Sequence, residues 1–249
     1  MRSPEFGRTL VPMTQPGVAV VTGASRGLGL ALAHGLAERG WTLVVDARGR
    51  EPLQQATIDL QQRYGVPVIA VTGDVTDPEH RQAVAAAARE AGGPDLLVNN
   101  AGILGPSPQP PLAAYPLDTL RDVLDANLVA PLALTQLLLP DLRAGSGAVI
   151  NVTSDAGVEA YEGWGGYGLT KAALEQASAV LAVEEPAVRV WWVDPGDLRT
   201  QMHQQAYPGE DISDRPLPDT AVPGFLQLLD RRPPSGRYRV ADLLAAPAT

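Results

Sequence analysis

Short apolar runs rich in β-branched residues alternate with longer stretches of helical periodicity along most of the chain. The runs that predict strands are 18–23, 42–47, 66–74, 94–102, 147–154 and 188–196. The stretches that predict helices are 29–40, 52–65, 78–92, 117–143 and 167–184, the fourth of them adjusted near Pro131. Nearly continuous apolar strands that alternate with helices are typical of a parallel sheet covered on both faces. The pattern therefore predicts an α/β fold with a doubly wound parallel sheet, a Rossmann-like three-layer α/β/α arrangement in a single domain.

This alternation breaks down after Pro195. Residues 197–223 are polar and rich in proline, which predicts a long loop or short helices near the site, where they could act as a substrate loop or lid. A last helix at 223–232 and a short strand at 236–240 follow. At the other end, residues 1–12 show no periodicity and precede a second methionine, so we expect a tag or disordered extension there. The single domain is then expected to span residues 13–249.

Composition argues against several classes of function. The chain has no cysteine, which excludes disulfides and thiolate chemistry, and its three scattered histidines argue against a metal site. A formal net charge of -9 argues against a nucleic-acid partner. No uninterrupted apolar stretch reaches the about 20 residues of a membrane span, and no signal peptide is visible. We therefore expect a cytoplasmic protein with no nucleic-acid and no membrane partner.

A glycine-rich segment, TGASRGLG at 22–29, lies where the first strand ends and the first helix begins. Its glycines let the turn close tightly and let the backbone approach a pyrophosphate at the helix N-terminus. A glycine-rich turn without a ligand is the alternative. Its place after the first strand of a parallel sheet favours a dinucleotide site. The residues expected to hold the cofactor here are Gly23, Ser25, Arg26, Gly27, Leu28 and Gly29.

The spacing Gly-x-x-x-Gly-x-Gly resembles that of the short-chain dehydrogenase/reductase family. The family's other marks follow in the same order, from residue 22 to residue 200. They are Asp74 in GDVTD, the NNAG of 99–102, Asn127 in LDANLVAP, Ser154 in NVTSDAG, Tyr167 and Lys171 in YGLTK, and the Pro-Gly and Thr of DPGDLRT at 194–200. Each mark alone is weak, but together they identify the chain as a member of this family.

The resemblance implies a nicotinamide cofactor and its contacts. Asp74 would contact the adenine, and Asn127 would hold a water that links Lys171 to solvent. Two plainer alternatives stay open, in which Asp74 only forms a turn and Asn127 is a structural residue inside a helix. Beyond the glycine loop, the implied cofactor-binding residues are Ala47, Arg48, Asp74, Val75, Asn100, Ala101, Gly102, Tyr167, Lys171, Pro195, Gly196, Leu198 and Thr200.

The catalytic hypothesis centres on Tyr167 and Lys171, which lie one helical turn apart on the same face. A free tyrosine has a pKa near ~10, and a nearby cation lowers that pKa. Tyr167 is therefore predicted to be the proton donor and acceptor, with Lys171 as the charge that lowers its pKa. Ser154 would donate to the substrate oxygen, unless it only caps a turn. The expected reaction interconverts an alcohol and a ketone or aldehyde; the alternative is a catalytically silent cofactor-sensing or scaffold protein.

Two arginines bear on which cofactor is used. By family spacing, the acid that would select NAD falls on Ala47, and strand alternation turns Asp46 to the other face. Arg48 is placed to reach a 2′-phosphate, and Arg26 approaches from the opposite side. We predict NADP(H) as the preferred cofactor, with NAD(H) possible if a one-residue shift lets Asp46 reach the ribose.

The sequence is least informative about the substrate and the assembly. A small-molecule carbonyl or alcohol substrate is expected. His203 is expected to be a solvated surface residue, and the alternative is that it meets the substrate. A homodimer is predicted through helices 117–143 and 167–184, because the C-terminal segment lacks the Gly-Gly-rich strand end that often helps build tetramers. Residues adjacent to the family marks are placed to line the substrate pocket, namely Leu104, Asp155, Val158, Tyr161, Trp164 and Leu198. For each of them, packing in the interior is an equal alternative.

Overall fold

A parallel sheet of seven strands forms the centre of the computed structural model, which describes residues 16–246. The predicted extension at 1–12 lies outside the described residues. The strands run in the order β3-β2-β1-β4-β5-β6-β7, and every registered pair is parallel. The strands are β1 Val18–Val21, β2 Thr42–Ala47, β3 Val68–Thr72, β4 Leu96–Asn99, β5 Ala148–Val152, β6 Arg189–Asp194 and β7 Gly236–Arg239. This arrangement confirms the predicted Rossmann-like fold.

Helices cover both faces of the sheet. They are α1 Gly27–Glu38, α2 Arg50–Tyr64, α3 Pro78–Glu90, α4 Leu117–Leu124, α5 Ala130–Ala144, α6 Gly165–Glu184, α7 Gln201–Ala206, α8 Val222–Arg231 and α9 Val240–Ala245. The strand order reverses direction between β1 and β4. Open sheets of this kind bind ligands in the crevice outside the carboxyl ends of the strands at that point.

The core consists of two apolar layers, one on each face of the sheet. Along β1, Ala19 and Val21 belong to one buried cluster, whereas Val18 and Val20 belong to the other. This follows from the two-residue alternation of side chains along a strand. Each valine buried in this way stabilises the fold by roughly 1.5–3 kcal/mol. The strands therefore read as continuous apolar runs because both of their faces are buried.

The predicted helix at 117–143 differs in one respect. It is interrupted by a π-helical turn, Asp125–Val129, which joins α4 to α5. Pro131 has no N–H to donate, and its ring crowds the carbonyl of the residue four positions earlier. The wider π turn relieves that crowding, so the adjustment lies immediately before Pro131 rather than at it.

The same helical run, Leu117–Ala144, is long and apolar enough by length and composition to cross a membrane, with a mean hydropathy of 1.4 in its most apolar window. The sequence expectation concerned uninterrupted apolar stretches, and charged residues such as Asp125 and Asp141 interrupt this run. In this fold Leu134, Leu138 and Leu142 are buried against the sheet. Less than half of that apolar window, 44%, is buried within the described chain.

Candidate active site

A single cleft of about 1840 Å³ brings together nearly all of the predicted site residues. It opens at the carboxyl ends of β1, β2, β4, β5 and β6, where the glycine-rich loop and the residues after each strand meet. Gly29 and Asn127 do not line it. The predicted residues that do are Gly23, Ser25, Arg26, Gly27, Leu28, Ala47, Arg48, Asp74, Val75, Asn100, Ala101, Gly102, Ser154, Tyr167, Lys171, Pro195, Gly196, Leu198 and Thr200.

The glycine-rich loop is held in place from beneath. Gly23 has a φ of 67°, in the left-handed region that favours glycine, and its N–H donates to Asp46 Oδ1 at 2.8 Å. The other oxygen of Asp46 lies 2.9 Å from His80 Nε2. Asp46 is only 1% exposed, so its carboxylate supports the loop instead of facing a ribose. The alternation expected from the sequence is therefore what the structure shows.

The N-terminus of α1 fits a pyrophosphate. Its N-cap residue, Arg26, makes no side-chain hydrogen bond to the first turn, so no side chain of the cap competes with a phosphate for those N–H groups. Gly29 contributes by packing: a Cβ atom there would lie 2.4 Å from Asn100 Nδ2. Since Asn100 Nδ2 donates to the carbonyl of Thr22 at 2.8 Å, Gly29 allows α1 to pack closely against the end of β4.

Arg48 lies at the rim of the cleft, just after β2. Its side chain is 63% exposed, and Nη1 is 3.8 Å from Asp74 Oδ2. Asp74 also accepts hydrogen bonds from the backbone N–H and the hydroxyl of Thr76, both at 2.9 Å. Asp74 thus forms a turn and also lines the cleft. Burial raises the pKa of Asp74, but the bonds from Thr76 and the charges of Arg48 and His80 outweigh it and lower that pKa.

Ser154, Tyr167 and Lys171 lie around the inner part of the cleft. Ser154 follows β5; its hydroxyl donates to Asp155 Oδ1 at 2.9 Å and accepts from the N–H of Ala156 at 3.2 Å. It therefore caps the 3-10 turn at 155–157 while also lining the cleft. Lys171 Nζ donates to the carbonyl of Val152 at 2.8 Å and lies 5.5 Å from the ring centre of Tyr167.

The pKa of Tyr167 departs from the prediction. Burial raises this pKa, and the carboxylates of Asp155 and Asp194 raise it further. Burial also lowers the pKa of Lys171 to about 8, although the carboxylate of Glu175 opposes this shift. The expected net lowering of the pKa of Tyr167 is therefore wrong, because burial and the two carboxylates raise it.

The side chain of Asn127 has a structural role. It is fully buried in the π turn, and its Oδ1 accepts from the N–H of Ile103 at 2.8 Å. Its Nδ2 donates to the carbonyl of Ile103 at 2.9 Å and to the hydroxyl of Thr170 at 3.1 Å. Every polar group of this side chain thus has a protein partner. Asn127 fixes the chain after β4 against α6, in agreement with the structural alternative, and the water implied by the family resemblance stays a prediction.

The family model described as short chain dehydrogenase matches residues 17–211 of this chain. The chain belongs to the short-chain dehydrogenase family. Sepiapterin reductase of Rattus norvegicus is 37% identical over 201 residues, which cover 76% of this chain and 77% of that protein. A short-chain dehydrogenase structure from Shigella flexneri superposes with a TM-score of 0.85 at 29% identity, covering 92% of this chain and 93% of its own. One from Escherichia coli CFT073, complexed with NADPH, gives a TM-score of 0.83 at 30% identity, covering 90% and 95%.

In this short-chain dehydrogenase, Trp164 and Tyr167 give the cleft an aromatic lining. Trp164 meets the ring of Tyr167 edge-on at 5.8 Å and that of Tyr207 at 6.2 Å. Leu104, Trp164 and Leu198 line the cleft as expected. Asp155, Val158 and Tyr161 do not line it, and Val158 and Tyr161 are exposed on the surface.

His203 corrects a further expectation. It is 8% exposed rather than solvated, and its ring lies 5.0 Å from that of Tyr207. The reason is that α7 covers part of the cleft: His203 lines it, and its neighbour Met202 packs against the buried cluster that contains Tyr167. Sequence reasoning missed this burial because nothing in the polar segment 197–223 marks α7 as covered.

Sequence reasoning also missed the pair formed by Asp46 and His80. The available signal was an aspartate inside an otherwise apolar strand, TLVVDA. A buried carboxylate needs hydrogen-bonding partners, and the N–H of Gly23 together with His80 supplies them. The pair therefore positions the glycine-rich loop of the cofactor site.

Proposed function

We propose that this protein is an NADP(H)-dependent reductase that interconverts small carbonyl compounds and alcohols. One observation carries the proposal. The buried hydroxyl-bearing ring of Tyr167, the Nζ of Lys171 5.5 Å from its centre, and Ser154 all line the cleft that also holds the glycine-rich loop. A proton donor and a binding group for a developing alkoxide thus share one cleft with a pyrophosphate site.

Tyr167, Ser154 and Lys171 each have a distinct role in the proposed reduction of a carbonyl group. A bound nicotinamide would supply the hydride to the carbonyl carbon. Tyr167, whose pKa is raised by burial, holds its proton at neutral pH and gives it to the carbonyl oxygen. The hydroxyl of Ser154 donates to the same oxygen and stabilises its developing charge. The ammonium of Lys171 then favours the tyrosinate that remains after the transfer.

The preference for NADP(H) is supported by the surroundings of β2. Ala47 carries no acid that would repel a 2′-phosphate, and Asp46 is engaged with Gly23 and His80. Arg48 and Arg26 are exposed at the rim of the cleft, where a planar guanidinium suits phosphate oxygens. The relative from Escherichia coli complexed with NADPH supports the same choice.

The substrate class is proposed from the walls of the cleft. Leu104, Ala156 and Tyr167 form a small buried cluster against which Trp164 and Met202 pack. Such walls favour a carbonyl compound with a flat or apolar body. The likeness to rat sepiapterin reductase supports a carbonyl reductase as the reaction class.

The test is a panel of aromatic and aliphatic ketones and aldehydes assayed by loss of reduced-nicotinamide absorbance, in the wild type and in Tyr167→Phe. The variant keeps the ring and loses only the ionisable oxygen, so we expect kcat to fall about 10²–10⁴-fold with NADPH affinity unchanged. A variant that retains more than a tenth of the wild-type rate on a good substrate would exclude Tyr167 as the acid. A wild type that binds NADPH but turns over no compound of the panel would favour the silent scaffold instead.

A further inference from the structure

A largely buried ionic network connects the elements that carry the catalytic residues. Arg237, on the edge strand β7, donates from Nε to both carboxylate oxygens of Glu175, at 3.0 and 3.2 Å. Its Nη2 lies 3.3 Å from Asp194 Oδ2 and 3.4 Å from the carbonyl of Ser154. Glu175 and Asp194 are largely buried, so these charges face one another away from bulk water.

Each partner of Arg237 belongs to an element that carries part of the site. Glu175 lies one helical turn after Lys171 on α6 and also accepts from the hydroxyl of Thr153 at 2.7 Å. Asp194 ends β6 and accepts from the N–H of Gly196 at 3.0 Å, which shapes the turn that lines the cleft. One guanidinium therefore joins α6, the end of β5 and the turn after β6.

The charges of this network act on Lys171 and Tyr167. Lys171 faces Glu175 on its own helix, and the carboxylates of Asp155 and Asp194 lie near Tyr167 from the turn after β5 and from β6. The π turn packed against α6 contributes the uncharged Asn127, which bonds to Thr170, and the exposed Asp125, which lines the cleft. Arg237 supplies the positive charge that balances Glu175 and Asp194, so it offsets their tendency to favour a protonated lysine and a protonated tyrosine.

We propose that Arg237 is a positioning residue that, through Glu175 and Asp194, sets the charge around the Tyr167–Lys171 pair. The proposal rests on the proposed function only in taking those two residues as the acid and its tuning charge. It assigns a role to the edge strand of the sheet, which contributes no residue to the lining of the cleft among those that the structure describes.

The experiment exploits the composition of the chain, since Lys171 is the only lysine in the sequence. Protein grown with isotopically labelled lysine therefore gives one lysine side-chain NMR signal, and its titration measures the pKa of Lys171 without any turnover. Burial and Glu175 together place the wild-type value at about 8. We expect Arg237→Met to raise this pKa and Glu175→Gln to lower it, each by about half a pH unit or more. The double variant should return close to the wild type.

Glu175→Gln is the decisive variant. Loosening of the site would admit water and raise the pKa of a buried lysine, so only loss of the carboxylate charge lowers it. If Arg237→Met fails to fold, Arg237→Gln replaces it, because it also removes the positive charge but keeps a hydrogen-bond donor, and it should also raise the pKa. The control is Arg39→Met, which breaks an arginine–carboxylate pair with Asp230 at 2.6 Å and away from the cleft, and which should leave the titration unchanged.

The pH profile of NADPH-dependent reduction gives a second measurement. The pH of half-maximal activity should follow the same order, highest in Arg237→Met and lowest in Glu175→Gln. An unchanged lysine titration in Arg237→Met, or an upward shift in Glu175→Gln, would overturn the proposal and reduce Arg237 to a structural role. Absence of turnover in the wild type would count against the proposed function alone, because the lysine titration does not depend on it.

Discussion

At the scale of single residues, position decides function more than residue type does. Asp46 and Arg48 are two places apart, yet one is buried under the glycine-rich loop and the other is exposed at the rim of the cleft. An aspartate that faced the ribose would favour NAD, whereas this one is engaged with Gly23 and His80. The intervening Ala47 leaves room beside the place where the adenosine ribose of a cofactor would lie.

We expect Arg48→Ala to lower kcat/KM for NADPH by about 10–100-fold, because hydrogen bonds to a charged group contribute about 1.5–3 kcal/mol. The same variant should leave kcat/KM for NADH unchanged, since NADH has no 2′-phosphate. Steady-state assays with both cofactors in the wild type and the variant measure the two values.

The matched control for this substitution is Arg50→Ala. Arg50 is an exposed arginine two residues further along, at the start of α2, and it does not line the cleft. We expect it to leave both cofactors unaffected. A wild type that prefers NADH, or an NADPH preference that survives the loss of Arg48, would rule out the assigned role.

At the scale of elements, the site is held together by clamps between segments distant in sequence. Asn127 in the π turn is the clearest, because it pairs with both the N–H and the carbonyl of Ile103. Its third bond, to Thr170, ties this loop to the helix that carries Tyr167 and Lys171. The π turn required by Pro131 thus coincides with the place where β4 and α6 are joined.

Asn127→Ala should lower the free energy of unfolding by about 1–3 kcal/mol, because it leaves the part-buried N–H and carbonyl of Ile103 without their side-chain partner. Thermal and urea unfolding measure this loss. Asn127→Asp keeps the acceptor but removes both donor bonds, so it should also be destabilising. Gln55→Ala, which removes an exposed amide on α2, serves as the control and should change stability by less than about 0.5 kcal/mol. Equal stability of Asn127→Ala and the control would show that the clamp contributes nothing.

These clamps also show what the sequence could and could not predict. Strands and helices were predictable because β-branched apolar runs and helical periodicity are local signals. The cleft residues were predictable because carboxyl ends of parallel strands meet at one edge. The bonds from Arg237 to Glu175 were not, since those residues are 62 positions apart and meet only once β7 joins the sheet beside β6. The raised pKa of Tyr167 was missed for a related reason, because burial depends on the packing of α7 and Trp164 around it.

At the scale of the whole molecule, apolar surface remains uncovered on the helices that flank one side of the fold. Val129 and Leu132 are exposed at the π turn and α5, and Val180 and Val183 are exposed on α6, the last of them at 83%. Scattered apolar residues on a surface are ordinary, but these four belong to two long neighbouring elements. The apolar helical run Leu117–Ala144 contributes two of them.

We predict that a second copy of the chain covers this surface and that the protein is a homodimer. Pairing of these helices with their symmetry mates forms a two-fold interface in which each apolar patch meets its own counterpart. A charged side chain at this interface would be present on both copies and would destabilise the dimer. Two separate variants, Leu132→Glu and Val183→Arg, should therefore each convert the dimer into a monomer. Light scattering at micromolar concentration measures the mass. Leu244→Arg, on the exposed face of α9, should leave the dimer intact. A wild type that is a monomer would show that there is no such interface. A tetramer that Leu244→Arg disrupts would place the interface at α9 instead.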